Sequence, residues 1–136
     1  MKLSSPEARA RFAAARVARL ATVSADGVPH LVPVTFAVHD DSVVFAVDHK
    51  PKSTTALRRL RNIAENPAVC FLADGYSEDW SELWWARADG VARVLPAHAG
   101  PAEWLVAKYE QYAARPPEHA VVLTDVHTWS GWSGSG

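Results

Sequence analysis

Two lysines on either side of a proline, Lys50-Pro51-Lys52, run directly into Ser53, Thr54 and Thr55 and then into a segment of helical period. The start of a helix leaves backbone N–H groups without partners and carries a partial positive charge, so anions settle there. Two ammonium groups held across a residue of fixed φ, with hydroxyls just behind them, are the components of a phosphate site. The same residues also make a polar helix cap with solvated lysines, and composition does not choose between the two uses. Arg58, Arg59 and Arg61 follow past the first turn on the polar side of the helix, where a solvated face is the ordinary role.

The remaining reactive side chains point less sharply. All six tryptophans lie between Trp80 and Trp132, a density that suits a flat ligand or a packed interface. Trp84 and Trp85 are adjacent on a strand-like stretch, so one should face the core and the other the opposite surface. The six histidines show no ligand spacing and Cys70 stands alone, so no metal site and no internal disulfide are expected. Glu78, Asp79 and Glu82 read as a solvated loop, and Tyr109 and Tyr112 as packing residues. Tyr76, Lys108 and Tyr109 could each give up a proton, but no residue stands out as catalytic. Neither a Gly-rich phosphate loop nor a nucleophile elbow is present.

The elements that must position these groups follow from periodicity. Ser4 or Ser5 caps a helix with Pro6 in its first turn, and "VARLATV" opens a strand that turns at "SADG". "VPHLVPVTFAVH" alternates as one second strand, with Val28, His30, Val32, Val34, Phe36 and Val38 on its core face. Pro29 and Pro33 on the other face require an edge, a bulge or a second subunit beside it. "SVVFAVD" is a third strand, and Ala56, Leu57, Leu60, Ile63 and Ala64 mark a helix that ends at Asn66-Pro67. "AVCFLA" and "ELWWARADGVARVL" are strands, the latter with a bulge or turn at Asp89-Gly90. One helix restarts at Pro101, and "HAVVLTDVHTW" is the last strand. The 136 residues make one domain, placed at 1–129, with 130–136 a flexible tail. A net charge of −1 argues against nucleic acid or an anionic membrane as partner. No run reaches the roughly 18 apolar residues of a spanning helix, so the expected location is cytoplasmic.

Taken in order, "LATVSADGVPHLVPV", the "KPK" before a helix ending "NP", and paired tryptophans before "R-x-D-G" resemble the pyridoxamine 5'-phosphate oxidase-like split β-barrel proteins. The likeness is closest to the actinobacterial branch that binds the deazaflavin coenzyme F420. That resemblance implies a mainly β fold with peripheral helices: a six-stranded antiparallel split barrel of the FMN-binding type, assembled as a homodimer with cofactor sites at the interface. It further implies that Lys50, Pro51, Lys52, Ser53 and Thr54 hold the cofactor phosphate and that Val34, Thr35, Phe36 and Val47 line its ring. Trp85, Arg87 and Trp129 would come from the other subunit. The implied activity is hydride transfer from reduced F420 to an unsaturated small molecule. FMN remains the alternative cofactor, and a non-catalytic F420- or tetrapyrrole-binding protein the alternative function.

Overall fold

The computed structural model describes residues 1–47 and 54–135, and the side chains of all of these except 54–57. Lys50, Pro51, Lys52 and Ser53 lie outside the described residues.

Helix α1 (Ser5–Ala14) begins where the sequence places it. The Ser4 hydroxyl accepts from the Glu7 N–H at 3.2 Å and the Glu7 carboxylate accepts from the Ser4 N–H at 3.0 Å, a reciprocal cap. Those bonds hold the Glu7 carboxyl below its ordinary pKa. Strands β1 (Ala18–Val23) and β2 (Pro29–Val34) pair through a turn whose Gly27 sits at φ 82°. β3 (Ala37–His39) and β4 (Ser42–Ala46) make a second hairpin, followed by α2 (Thr54–Glu65). β5 (Ala68–Gly75) and the long β6 (Trp84–Pro96) come next, then helices α3 (Ala102–Lys108) and α4 (Glu110–Ala114), and finally β7 (Ala120–Ser133).

The strands form one antiparallel sheet in the order β2-β1-β5-β6-β7-β4-β3, seven strands where six were expected. The extra strand arises because "VPHLVPVTFAVH" is not continuous. It breaks at Thr35-Phe36, where β2 leaves β1 and β3 joins β4. β2 and β3 are the two edges of the sheet, and only two residues separate them, so the edges must approach within about 10 Å. The sheet therefore closes on itself as a barrel.

The barrel interior is a single apolar cluster around Phe12, Leu20, Phe36, Phe45 and Phe71, all essentially inaccessible to water. Phe12 carries α1 into it, with ring centroids 4.6 Å from Phe36 and 5.5 Å from Trp129. A second cluster seats α3 on the outside of β3, β4 and β7 through Ala37, Val44, Leu105, Tyr109 and Val121. Helix α2 lies over β1, where the buried Asn62 amide donates to the Thr22 hydroxyl at 3.1 Å.

Of the bulge or turn expected at Asp89-Gly90, the structure shows the bulge, as a register shift between β6 and β7. A Cβ on Gly90 would run into the Asp125 carbonyl and the Thr124 methyl. The strand β7 continues to Ser133, past the boundary expected after Trp129, and Trp132 and Ser133 pair with Trp85 and Trp84. The helix expected from Pro101 onward is two helices, because Tyr109 adopts extended backbone (φ −119°, ψ 125°) between α3 and α4.

Candidate functional site

The break between β2 and β3 makes the first cleft. Where Thr35-Phe36 leaves the sheet, its backbone needs partners other than a neighbouring strand. The Tyr109 hydroxyl supplies them: it accepts from the Phe36 N–H at 3.1 Å and lies 2.9 Å from the Phe36 carbonyl and 2.8 Å from that of Arg16. Burial raises the Tyr109 phenol above its ordinary pKa, so it stays protonated and keeps a donor for those carbonyls. Next to it the Lys108 ammonium closes the end of α1 by donating to the carbonyls of Ala13 (3.2 Å) and Ala15 (2.7 Å). Burial, then the charge of Arg16, bring Lys108 down to about 8. Lys108 and Tyr109 are committed to the scaffold.

One turn further on, Tyr112 stands edge-on to the Tyr109 ring (5.9 Å, 84°) and reaches the cleft, its hydroxyl 3.2 Å from that of Thr35. Pro33, Val34, Thr35, Ala46, Val47, Arg59 and Tyr112 line this space of about 180 Å³. The lining combines apolar Pro33, Val34, Ala46 and Val47 with the Thr35 and Tyr112 hydroxyls and the Arg59 side chain. Val47 and Arg59 of helix α2, both in the lining, belong to the elements that precede and follow Lys50 and Lys52 in the chain.

A second cleft of about 360 Å³ lies against the paired ends of β5 and β6 and the chain that connects them, lined by residues that include Leu72, Asp74, Tyr76, Trp84, Trp85 and Arg87. Trp84 turns inward against the barrel core, beneath the Arg11 guanidinium, while Trp85 faces out. The outward pair Arg87 and Asp89 is joined at 3.0 Å. Around them, the outer face of β2, β1, β5 and β6 is apolar to an unusual degree. Leu31 is 68% exposed, Val91 48% and Leu72 38%. Register places Leu31 across from Ala21, Ala21 across from Cys70, and Arg19 across from Leu72, so these side chains share one surface. Burial raises the Cys70 thiol above its ordinary pKa, leaving it a small apolar member of that face.

A family model described as pyridoxamine 5'-phosphate oxidase matches residues 4–133, nearly the whole chain. The chain belongs to that family. Solved structures of the family's fold overlay most of it: an FAD-binding protein from Mesorhizobium loti (TM-score 0.72, 20% identity, 96% of this chain and 95% of that one) and the FAD-binding protein of Mycobacterium smegmatis (0.65, 23%, 97% and 96%). The conserved hypothetical protein Rv2991 from Mycobacterium tuberculosis overlays equally well (0.72, 20%, 97% and 86%). Among characterised sequences, a 5a,11a-dehydrotetracycline/5a,11a-dehydrooxytetracycline reductase from Streptomyces rimosus is 38% identical over 56 residues, which span 41% of this chain and 38% of the reductase.

Within this split barrel, the residues singled out from sequence fall into three groups. Val34, Thr35 and Val47 meet in the first cleft. Trp85 and Arg87 line the second. Phe36 and Trp129 are inside the core, with the Trp129 indole N–H spent on Asp41 at 2.9 Å. Thr54 opens α2. Two residues that sequence reasoning set aside belong to the first cleft: Arg59, assigned to a solvated face, and Tyr112, assigned to packing. The signal for Arg59 was present, since it lies three residues after Ala56 and four before Ile63, on the flank of the apolar stripe. Among the described residues no group of three or more His, Cys, Asp or Glu stands where it could hold a metal ion, and no helix is long and apolar enough to cross a membrane.

The donor set suits a planar heteroaromatic cofactor with a phosphate arm. Val34, Ala46 and Val47 provide an apolar wall, while Thr35, Tyr112 and Arg59 offer hydrogen-bond donors to ring oxygens. Yet about 180 Å³ is below the roughly 300 Å³ at which complete small-molecule sites begin.

Proposed function

We propose that this protein is a reductase that binds the deazaflavin coenzyme F420 at the seam of a homodimer and acts on an unsaturated small molecule. The observation that carries the reading is the first cleft. Its apolar residues, its two hydroxyls and Arg59 are drawn from the β2–β3 break, α4 and the elements that flank Lys50-Pro51-Lys52-Ser53 in sequence.

In this reading Lys50, Lys52, Ser53 and the start of α2 at Thr54 hold the phosphate. Val34, Thr35 and Val47 support the ring from one side, and Phe36 contributes through its backbone position alone. The exposed apolar face around Leu31 and Leu72 meets the same face of a second copy. That contact brings the partner's tryptophan-lined cleft, with Trp85 and Arg87, toward the incomplete site. Trp129 is left out of the site in this reading, because it is buried in the core with its indole N–H on Asp41. Bound in its reduced form, the cofactor supplies a hydride to an electron-poor double bond. The chain orients acceptor and cofactor and keeps water out between them.

The partial likeness to a tetracycline-type reductase favours a polycyclic, conjugated acceptor. FMN is the second reading, favoured by the two FAD-binding proteins that share the fold. Titration with oxidised F420 and, in parallel, FMN separates the two, with tryptophan fluorescence as the signal. Selective micromolar quenching by F420, weakened about tenfold or more in Lys52→Ala, supports the deazaflavin. Tighter FMN binding replaces it with a flavoprotein. Tight binding without turnover of enones, quinones or a linear tetrapyrrole leaves a carrier, and no binding of either cofactor removes the reading.

A further inference from the structure

From Asp74 to Ala86 the chain carries four carboxylates and four aromatic rings but no Lys or Arg, a composition that draws positive charge. The fold gathers part of that stretch into the second cleft, whose volume of about 360 Å³ lies within the range of small-molecule sites. Register sets Asp74 directly opposite Trp85 where β5 and β6 end, so the carboxylate and the indole stand side by side on one face. Gly75 is opposite Trp84, and a Cβ there would run into the indole nitrogen, so the Trp84 ring lies against bare backbone. Leu72, Tyr76 and Leu83 extend the apolar part of the lining.

The charges around this cleft do not cancel. Arg87 in the lining is joined to Asp89 at 3.0 Å, whereas Asp74 has neither a hydrogen bond nor an ion pair among the described residues. Arg11 stands over the Trp84 ring at 5.4 Å but is not part of the lining. Glu78, Asp79 and Glu82, in the chain that joins β5 to β6, are exposed and add negative charge nearby. We propose that the second cleft is a binding site for an organic ammonium ion, a quaternary or protonated tertiary amine on an apolar body, with its charge held between the Asp74 carboxylate and the Trp85 ring.

A ring face attracts a cation and a carboxylate beside it adds Coulomb attraction, so the two together select positive charge over an uncharged group of the same shape. The supply of acceptors narrows the class. A primary ammonium brings three N–H donors, and among the side chains of the lining only Asp74 and the Tyr76 hydroxyl accept from it without a charge already paired. An alkylated nitrogen has one donor or none and turns its methyl groups to the apolar residues. Asp74 is exposed, so salt screens its pull. Asp74 and Tyr76 take no part in the dimeric site proposed above, and binding of the cation requires no cofactor there.

The test is a calorimetric titration, without cofactor, of two ligands of one shape: the cation 3-hydroxyphenyltrimethylammonium and the uncharged 3-tert-butylphenol. The parent should bind the cation about tenfold more tightly than the uncharged ligand, and about 0.5 M NaCl should narrow the gap. Asp74→Asn keeps the side chain's shape at an exposed position and should remove most of that preference, while affinity for 3-tert-butylphenol stays within about twofold of the parent. Trp85→Leu, with the parental far-UV spectrum, should weaken the cation about fivefold. Equal affinity of the parent for the two ligands, no binding of the cation, or an unchanged preference in Asp74→Asn overturns the proposal, and each leaves the first cleft's cofactor titration to be decided on its own result.

Discussion

Replacing Tyr109 by Phe removes one oxygen and keeps the ring, so its effect isolates the hydroxyl that holds the β2–β3 break. In the folded protein that oxygen serves the Phe36 N–H and lies within bonding distance of two carbonyls, and Tyr109 is only 8% exposed. No water replaces it without opening the contact between α3 and β3. Leaving the buried Phe36 N–H unpaired costs about 1–3 kcal/mol, and the lost donor to a carbonyl about 1 kcal/mol more. A total near 3 kcal/mol is expected. At about 2.1 cal/mol/K per residue, the unfolding entropy of a 136-residue domain is roughly 0.29 kcal/mol/K, so Tm should fall by about 10 °C. Equilibrium urea unfolding, followed by tryptophan fluorescence at fixed protein concentration, should show a lower midpoint with an unchanged slope. Cofactor affinity should drop as well, because Thr35 and Val34 border the same break. A loss below about 0.5 kcal/mol would refute the claim that this hydroxyl holds the bend.

Three further outcomes follow from the same geometry. Lys108 is half-buried with its pKa brought from 10.5 to about 8, so between these values the unfolded chain binds a proton that the folded one does not, and stability through this group rises with pH. The shift corresponds to about 3 kcal/mol unscreened and, with partial exposure, about 1–2 kcal/mol. From pH 7.5 to 10 the parent should gain that much relative to Lys108→Met in urea unfolding, and a relative loss would contradict the burial argument. Gly90→Ala should cost about 2–3 kcal/mol by forcing a methyl against the Asp125 carbonyl at the bulge, and a melting temperature within 1 °C of the parent would count against that contact. For the proposed homodimer, Leu31→Asp should give a monomer in sedimentation velocity with the far-UV spectrum of the parent retained, and a dimer of parental stability would place the interface elsewhere.

Much of the fold was written in local pattern. The capping serine, the turn at Gly27, the Asp89-Gly90 bulge and the amphipathic α2 each depend on neighbours within a few residues. The two breaks that sequence reading missed have distant causes. Alternation runs unbroken through "VPVTFAV" because every side chain keeps its side. What divides β2 from β3 is the hydroxyl of Tyr109, 73 residues away along the chain. The helix break at Tyr109 is the other half of the same contact, hidden by the regular spacing of "KYEQY". For the site, Val34, Thr35 and Val47 were found through the family resemblance and do meet in one cleft. Phe36 shares their stretch of chain but turns into the core, as its alternation with Val34 and Val32 already implied. Tyr112 escaped because a tyrosine on a short helix reads as packing until Thr35 is placed beside it.

The central claim is that each site joins one chain's first cleft to the partner's Trp85 and Arg87. It is tested most directly by mixing two defective chains, Lys52→Ala and Arg87→Ala, with different affinity tags and isolating the mixed dimer. In that dimer one site carries both defects and the other carries neither. The account expects each homodimeric variant to bind F420 weakly and the mixed dimer to bind one equivalent per dimer with parental affinity. Weak binding at every site of the mixed dimer would contradict it, and would place both residues in a site built from a single chain.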